Sequence, residues 1–211
     1  MHYQNHGPHS IIQIIVVNFL AHIYLSGNNP KILVGNFIGD FVKGRNLKEQ
    51  FESEIAKGIE LHREIDFFTD THPIVRESKK RLQPKYGHYA PVIVDVFYDF
   101  FLAKYWSDYH PDPLADFAVH SYQTILDFEP ILPAEVKRLM PYMMKGNWLL
   151  NYGKLEGIQQ ALTGMSRRTR FDSKMDESVV ELTEYHDDFK KEFDAFFPEL
   201  KSHSENFIHQ G

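Results

Sequence analysis

The segment from Val92 to Leu102, Val-Ile-Val-Asp-Val-Phe-Tyr-Asp-Phe-Phe-Leu, constrains this chain more than any other. Large apolar residues fill almost every position, so a helix formed here has no face fit for water and must be enclosed by protein. Asp95 and Asp99 interrupt it four residues apart and therefore share one helical face. Buried together, two carboxylates repel, and each is costly unless something cationic compensates it. A divalent metal would do so. An Arg or Lys from another helix, Arg63 among them, would serve as well, and an exposed helix edge would leave both aspartates in water.

Enclosing such a helix calls for more helices, and the remaining pattern supplies them. Turn chemistry at 26–30 precedes a helix opened by Pro30 and running to about Val42, with a stop near Gly44. Ile55, Ile59, Leu61, Ile65 and Phe68 form an apolar stripe at helical spacing over 51–69. Pro73 starts another helix, which Pro84 to Gly87 closes before the apolar segment 90–106. Further helices are predicted near 113–127, 133–145, 154–166 and 175–197. Residues 12–24 read as a buried helix, although the β-branched run from Ile14 to Val17 suits a strand equally. No alternating strand pairs or repeats are present, so the expected fold is all-α, a single-domain irregular helical bundle over 17–200. Residues 1–16 read as a loose leader and 201–211 as a polar tail.

Polar groups are set into apolar stretches at three further places. In Gly58-Ile-Glu-Leu-His62-Arg63-Glu-Ile-Asp66-Phe-Phe-Thr-Asp70, His62 and Asp66 stand one turn apart, where both can ligate one ion or one can orient the other. The same spacing also fits an ordinary surface pair, and Asp70 is expected to cap the helix that begins near Pro73. Asn18-Phe-Leu-Ala-His22 places an imidazole that could equally be a satisfied core histidine. Gly35-Asn36-Phe-Ile-Gly39-Asp40-Phe-Val-Lys43-Gly44 places Asp40 where it could be a helix-end residue, with glycines at 35 and 39 that would admit a close neighbour. Together His22, Asp40, His62, Asp66, Asp95 and Asp99 form a set of oxygen and imidazole donors lying outside any charge run. Such a set suits Mn²⁺, Mg²⁺, Fe²⁺ or Zn²⁺, and its carboxylate excess leans towards Mn²⁺ or Mg²⁺.

Composition narrows the classes. With no cysteine in 211 residues, disulfides, thiolate metal sites and cysteine nucleophiles are excluded, and a reducing compartment fits. A net charge of −6 argues against broad nucleic-acid binding, which needs clustered Lys and Arg to neutralise phosphates. The apolar run from Ile11 to Ala21 is too short to span a bilayer and lacks a basic flank, so the expected location is the cytoplasm.

In this order and spacing the motifs, with Gly164-Met-Ser-Arg167-Arg168 after them, resemble the acyl carrier protein phosphodiesterase family. The resemblance covers roughly residues 17–197. It implies a divergent relative of the HD-domain phosphohydrolases, in which His and Asp on helices hold a divalent metal, typically Mn²⁺. The implied activity is hydrolysis of the phosphodiester joining 4′-phosphopantetheine to a serine of holo acyl carrier protein. Carried over by motif, the metal candidates are the same His22, Asp40, His62, Asp66, Asp95 and Asp99. Asp66 or Asp99 could act as base, and Lys43, Arg63 or Arg76 could neutralise the phosphate. An acidic carrier meeting a −6 partner needs concentrated positive charge, expected at Arg167, Arg168 and Arg170 and at Arg76, Lys79, Lys80, Arg81 and Lys85. The chain departs from the family at its start, where Val17 stands in the place usually held by Met, so residues 1–16 are expected to be dispensable. Two other readings are compatible with these residues: a metal-dependent hydrolase of a nucleotide or other small phosphodiester, and a helical carrier-binding protein without turnover, its buried acids paired with Arg.

Overall fold

Pro30 and Pro73 each occupy the first turn of a helix, where a fixed φ is favourable and the missing N–H costs nothing. A computed structural model describes residues 18–210, and the expectations about residues 1–16 lie outside them. The helices are α1 (Phe19–Tyr24), α2 (Pro30–Ile38), α3 (Leu47–Gln50), α4 (Ser53–Thr71), α5 (Pro73–Tyr86), α6 (Ala90–Lys104), α7 (Leu114–Asp127), α8 (Ala134–Lys145), α9 (Trp148–Asn151), α10 (Leu155–Ser166), α11 (Val179–Glu184) and α12 (His186–His209). Short 3-10 turns link several of them, and no strand occurs among the described residues. The fold is all-α. None of these helices is long and apolar enough to cross a membrane.

Several boundaries differ from the sequence reading. The helix from Pro30 ends at Ile38, and a 3-10 turn, Gly39–Phe41, takes over and carries Asp40. Pro84 does not close α5, which continues to Tyr86 and stops at Gly87, whose φ of 54° leaves the helical region. One helix expected over 175–197 is two, parted at Tyr185, and the second passes Pro198 and runs to His209. The stretch read as a polar tail is held there: Ser204 is buried, Phe207 and Ile208 pack against the core, and the Lys57 ammonium donates to the Ile208 carbonyl at 2.5 Å.

Helix α6 is enclosed, as its composition requires. Val96, Phe97, Phe100, Phe101 and Leu102 are almost wholly buried, and α12 lays Phe189 against Phe97, Phe193 against Phe101 and Phe196 against Tyr98. The tightest pairing is α2 on α4. A Cβ added to Gly35 would lie 2.1 Å from the Ile55 carbonyl oxygen, and one on Gly58 would lie 2.3 Å from the Ile32 carbonyl oxygen. The two backbones therefore meet where side chains are absent, which fixes the phase of α4 against α2. Gly35→Ala and Gly58→Ala should each lower stability by about 1–3 kcal/mol or more through overpacking, read as a reduced denaturation midpoint. An unchanged midpoint for both would show that the two helices are free to part.

Candidate metal centre

The close contact of α2 with α4 brings Asn36 of the first against His62 of the second, and α1 lays His22 beside both. Asn36, wholly buried, is the hub. Its side-chain oxygen accepts from His22 Nδ1 at 2.8 Å, its amide nitrogen donates to the His22 carbonyl at 2.8 Å and to Ser26 Oγ at 3.0 Å, and its backbone carbonyl accepts from His62 Nδ1 at 2.9 Å. Because a carbonyl oxygen can only accept, both imidazoles carry a proton on Nδ1 and, when neutral, a bare lone pair on Nε2. The rings stack with centroids 4.1 Å apart. A Cβ on Gly39 would fall 2.3 Å from His62 Cγ, so the ring reaches its place only because residue 39 has no side chain.

Both Nε2 atoms are buried without a hydrogen-bond partner, and both face Asp66. His22 Nε2 lies 3.4 Å from Asp66 Oδ1, and His62 Nε2 lies 3.3 Å from Asp66 Oδ2 and 3.3 Å from Asp40 Oδ1. Lone pairs of neutral imidazoles turned on a carboxylate repel, so the arrangement calls for a cation, either a proton or a metal ion. His22, His62 and Asp66 each offer a ligand atom within 4.8 Å of the others, which makes them able to hold a metal. In the absence of an ion the proton answers. Burial alone lowers the His62 pKa, but the facing carboxylates of Asp40 and Asp66 raise it to about 10. Asp66, although half exposed and partly desolvated, is held well below the ordinary carboxylate range by His22 and His62.

Asp40 and Asp66 line a cleft of about 230 Å³ with Asn18, Thr69, Asp70 and Asp95. Asp95 is half-buried at its wall, and burial, followed by the charge of Asp66, raises its pKa well above the usual range. Asp99 sits apart from this point. It is wholly buried, and its two oxygens accept from the backbone N–H groups of Leu20 at 3.0 Å and Ala21 at 2.8 Å. Asn18, at the N-cap of α1, makes no side-chain cap bond, so Asp99 of α6 satisfies the first turn of α1 from across the core and thereby holds His22 in position. Burial pushes the Asp99 carboxyl up to about 7 against the pull of those two amides.

The remaining expected residues lie elsewhere. Arg63 pairs with neither Asp95 nor Asp99; its Nη2 donates to the Gly44 carbonyl at 2.9 Å and the Val42 carbonyl at 3.3 Å, fastening the loop that follows Asp40. Lys43 is exposed on that loop. Asp70 caps no helix and instead meets Lys79 at 2.7 Å. Lys80, Arg81 and Lys85 are likewise engaged, with Glu77, Glu192 and Glu181, while Arg76 is exposed without an ion pair among the described residues. Arg167 and Arg170 are exposed, but Arg168 turns inward and its Nε donates to the Gly164 carbonyl at 3.0 Å. Asn36 and Gly39 are the contributors that the list of candidate ligands lacks. Their signal was an amide in an apolar run flanked by glycines, which was noted for backbone approach and not for orienting a histidine.

The described residues thus define an all-helical protein with an oriented His-His-Asp cluster, able to hold a metal, beside an acidic cleft. A sequence model described as acyl carrier protein phosphodiesterase matches residues 17–200. Proteins of that name from Escherichia coli O139:H28 (strain E24377A / ETEC) and Escherichia coli O9:H4 (strain HS) are each 36% identical to this chain over 186 residues, covering 87% of it and 95% of the relative. The chain belongs to the acyl carrier protein phosphodiesterase family. No solved structure matches it.

Removing the tautomer lock by Asn36→Leu should weaken metal affinity by roughly 10- to 100-fold in equilibrium dialysis, the usual effect of losing an outer-shell partner. Stability under chelation should depend on pH with a definite sign. His62, raised from 6.5 to about 10, stabilises the fold fully below 6.5 and loses that contribution as pH rises through about 10. Asp66, depressed from 3.8, contributes above that value and loses it as pH falls. Melting temperature against pH should therefore form a plateau between those limits, and His62→Gln should remove the alkaline decline. A decline that survives the substitution would assign it to other groups.

Proposed function

We propose that this protein is a metal-dependent phosphodiesterase that releases 4′-phosphopantetheine from the serine of holo acyl carrier protein. The observation that carries the reading is the pair of buried, unpartnered Nε2 atoms aimed at Asp66 in a chain of this family. Relatives bearing the family name supply the substrate class, and the cleft supplies a place for a phosphodiester beside the cluster. His22, His62 and Asp66, with Asp40 and Asp95 at the cleft, are the residues assigned to hold the ion. Mn²⁺ is the first choice for this nitrogen and oxygen set, with Mg²⁺ or Fe²⁺ as alternatives. These residues would hold a divalent ion where it would lower the pKa of a water and offset charge on the non-bridging phosphate oxygens. The histidine and aspartate positions on helices are also what supports kinship with HD-domain phosphohydrolases.

The chain's own residues divide the remaining work. Asn36 holds both imidazoles with Nε2 towards the cleft, and Asp99 holds α1 and hence His22. Asp66 is the assigned base, being ionised and open to the cleft. Lys43 and Arg76, both exposed, are the residues assigned to neutralise an incoming phosphate, whereas Arg63 acts by fixing the loop that follows Asp40. Arg167 and Arg170, exposed beyond the end of α10, together with Arg76 are the assigned docking charges for an acidic carrier. A cytoplasmic location fits this substrate.

Purified protein should contain, or take up, a divalent metal. Incubated with holo carrier and Mn²⁺, it should shift the carrier's mass down by one phosphopantetheine, and His62→Ala and Asp66→Ala should each lose at least 100-fold of that rate, in line with the cost of removing a group that stabilises the transition state. Binding without turnover would establish a carrier-binding protein. Turnover of a nucleotide diester with the carrier untouched would establish the other hydrolase. Reversing charge at Arg167 and Arg170 should raise the carrier KM about tenfold and spare a small chromogenic diester; equal losses on both substrates would remove these residues from docking.

A further inference from the structure

A second cleft, of about 260 Å³, opens between α9 and α10 and shares no lining residue with the acidic one. Its walls are the half-buried Trp148, the buried Tyr152, Gln160, Ala161 and Gly164, and Arg168 closes it. The Arg168 guanidinium is half-buried; its Nε donates to the Gly164 carbonyl, and it meets no carboxylate among the described residues. The other arginines of the motifs differ: Arg63 donates to two carbonyls, Arg81 to the Glu192 carboxylate with both nitrogens, and Arg167 and Arg170 are exposed. Arg168 is thus half withdrawn from water with one carbonyl partner and no counter-charge among the described residues, and burial correspondingly lowers its pKa.

The surroundings are built for occupancy by something flat. A Cβ on Gly146 would fall 2.8 Å from two atoms of the Trp148 ring, so that glycine lets the indole lie against the chain as one wall. A Cβ on Gly164 would meet nothing nearer than Arg168 Nη2, at 4.0 Å, which leaves open space in front of the fork. The Gln160 amide, exposed at the rim, adds a neutral donor and acceptor. A planar guanidinium with two free nitrogens matches the oxygens of a carboxylate or a phosphoryl group bidentately, and an indole beside it takes an apolar body.

We propose that the cleft formed by Trp148, Gly164 and Arg168 binds a small organic anion, its carboxylate or phosphoryl end on Arg168 and its apolar part on Trp148. The site is distinct from the histidine and aspartate centre and does not depend on the activity assigned to it. It also gives the inward-turned arginine of the Gly164-Met-Ser-Arg167-Arg168 motif a role that carrier docking does not.

The probes are benzoate, phenylphosphonate, the neutral benzamide and inorganic phosphate, titrated calorimetrically into the intact protein and followed by the indole N–H signal of Trp148, identified by its loss in Trp148→Phe. Benzoate or phenylphosphonate should bind at least tenfold more tightly than benzamide and than inorganic phosphate, and should move the Trp148 signal. The better of the two identifies the head group. Arg168→Gln should reduce anion affinity at least tenfold, to the level of benzamide, and Gly164→Val, which fills the space before the fork while leaving the charge, should do the same. Should Arg168→Gln not fold, Gly164→Val and Arg168→Lys, which keeps the charge and loses the fork, carry the test. The proposal is overturned if benzamide equals benzoate, if inorganic phosphate equals phenylphosphonate, if anion affinity survives these substitutions, or if His62→Ala abolishes binding.

Discussion

One buried amide governs the geometry of the metal centre. Asn36 can only accept at its two carbonyl oxygens, and each takes an imidazole N–H, so both histidines are compelled to present Nε2 to the same small volume. Neither a proton-free pair of imidazoles nor a free carboxylate would rest easily there. The contacts of 3.3–3.4 Å to Asp66 are long for hydrogen bonds and suit a shared cation between the partners. A cation at this point, whether a proton on an imidazole or a metal ion, balances the site, whereas in an ordinary ion pair the two partners carry both signs from the outset. Asp70 with Lys79, or Arg81 with Glu192, are pairs of that second kind.

Around this amide the fold acts as a set of positioning devices. Gly35 and Gly58 let the backbones of α2 and α4 touch, which puts Asn36 within reach of His62, and Gly39 clears the way for the ring. Asp99 reaches from α6 to the first turn of α1, doing for that helix what its own N-cap residue does not. Arg63 ties down the loop beyond Asp40. None of these groups need touch a substrate, yet each decides where a ligand atom points.

Much of this was legible in the sequence because the chemistry was concentrated in short, periodic segments. The helical pattern of α4 and α6 was read correctly in type and nearly in extent, since unbroken apolar periodicity over many residues leaves few alternatives. His62 with Asp66 followed from a spacing of one helical turn. What spacing cannot convey is which face of a buried helix meets which neighbour. Asp95 and Asp99 share a face by arithmetic, but one lines the cleft and the other is consumed by two backbone amides of a helix far away in sequence. Arg168 looked like its exposed neighbours because nothing in composition says that a side chain turns inward. Helix ends were the least legible: α5 runs past Pro84 to Tyr86, and α12 runs past Pro198 to His209, because packing carries both helices on.

The seam of Gly35 and Gly58 has a consequence for how this family can vary. An α-helix turns by about 100° per residue, so once Gly58 is pinned, every position downstream on α4 has a fixed compass bearing. Inserting or deleting a single residue between Gly58 and Asp66 would swing His62 or Asp66 out of the cleft altogether, even with composition and helicity intact. The connecting loops can absorb a change of length, whereas the interval from that glycine to that aspartate acts as a ruler.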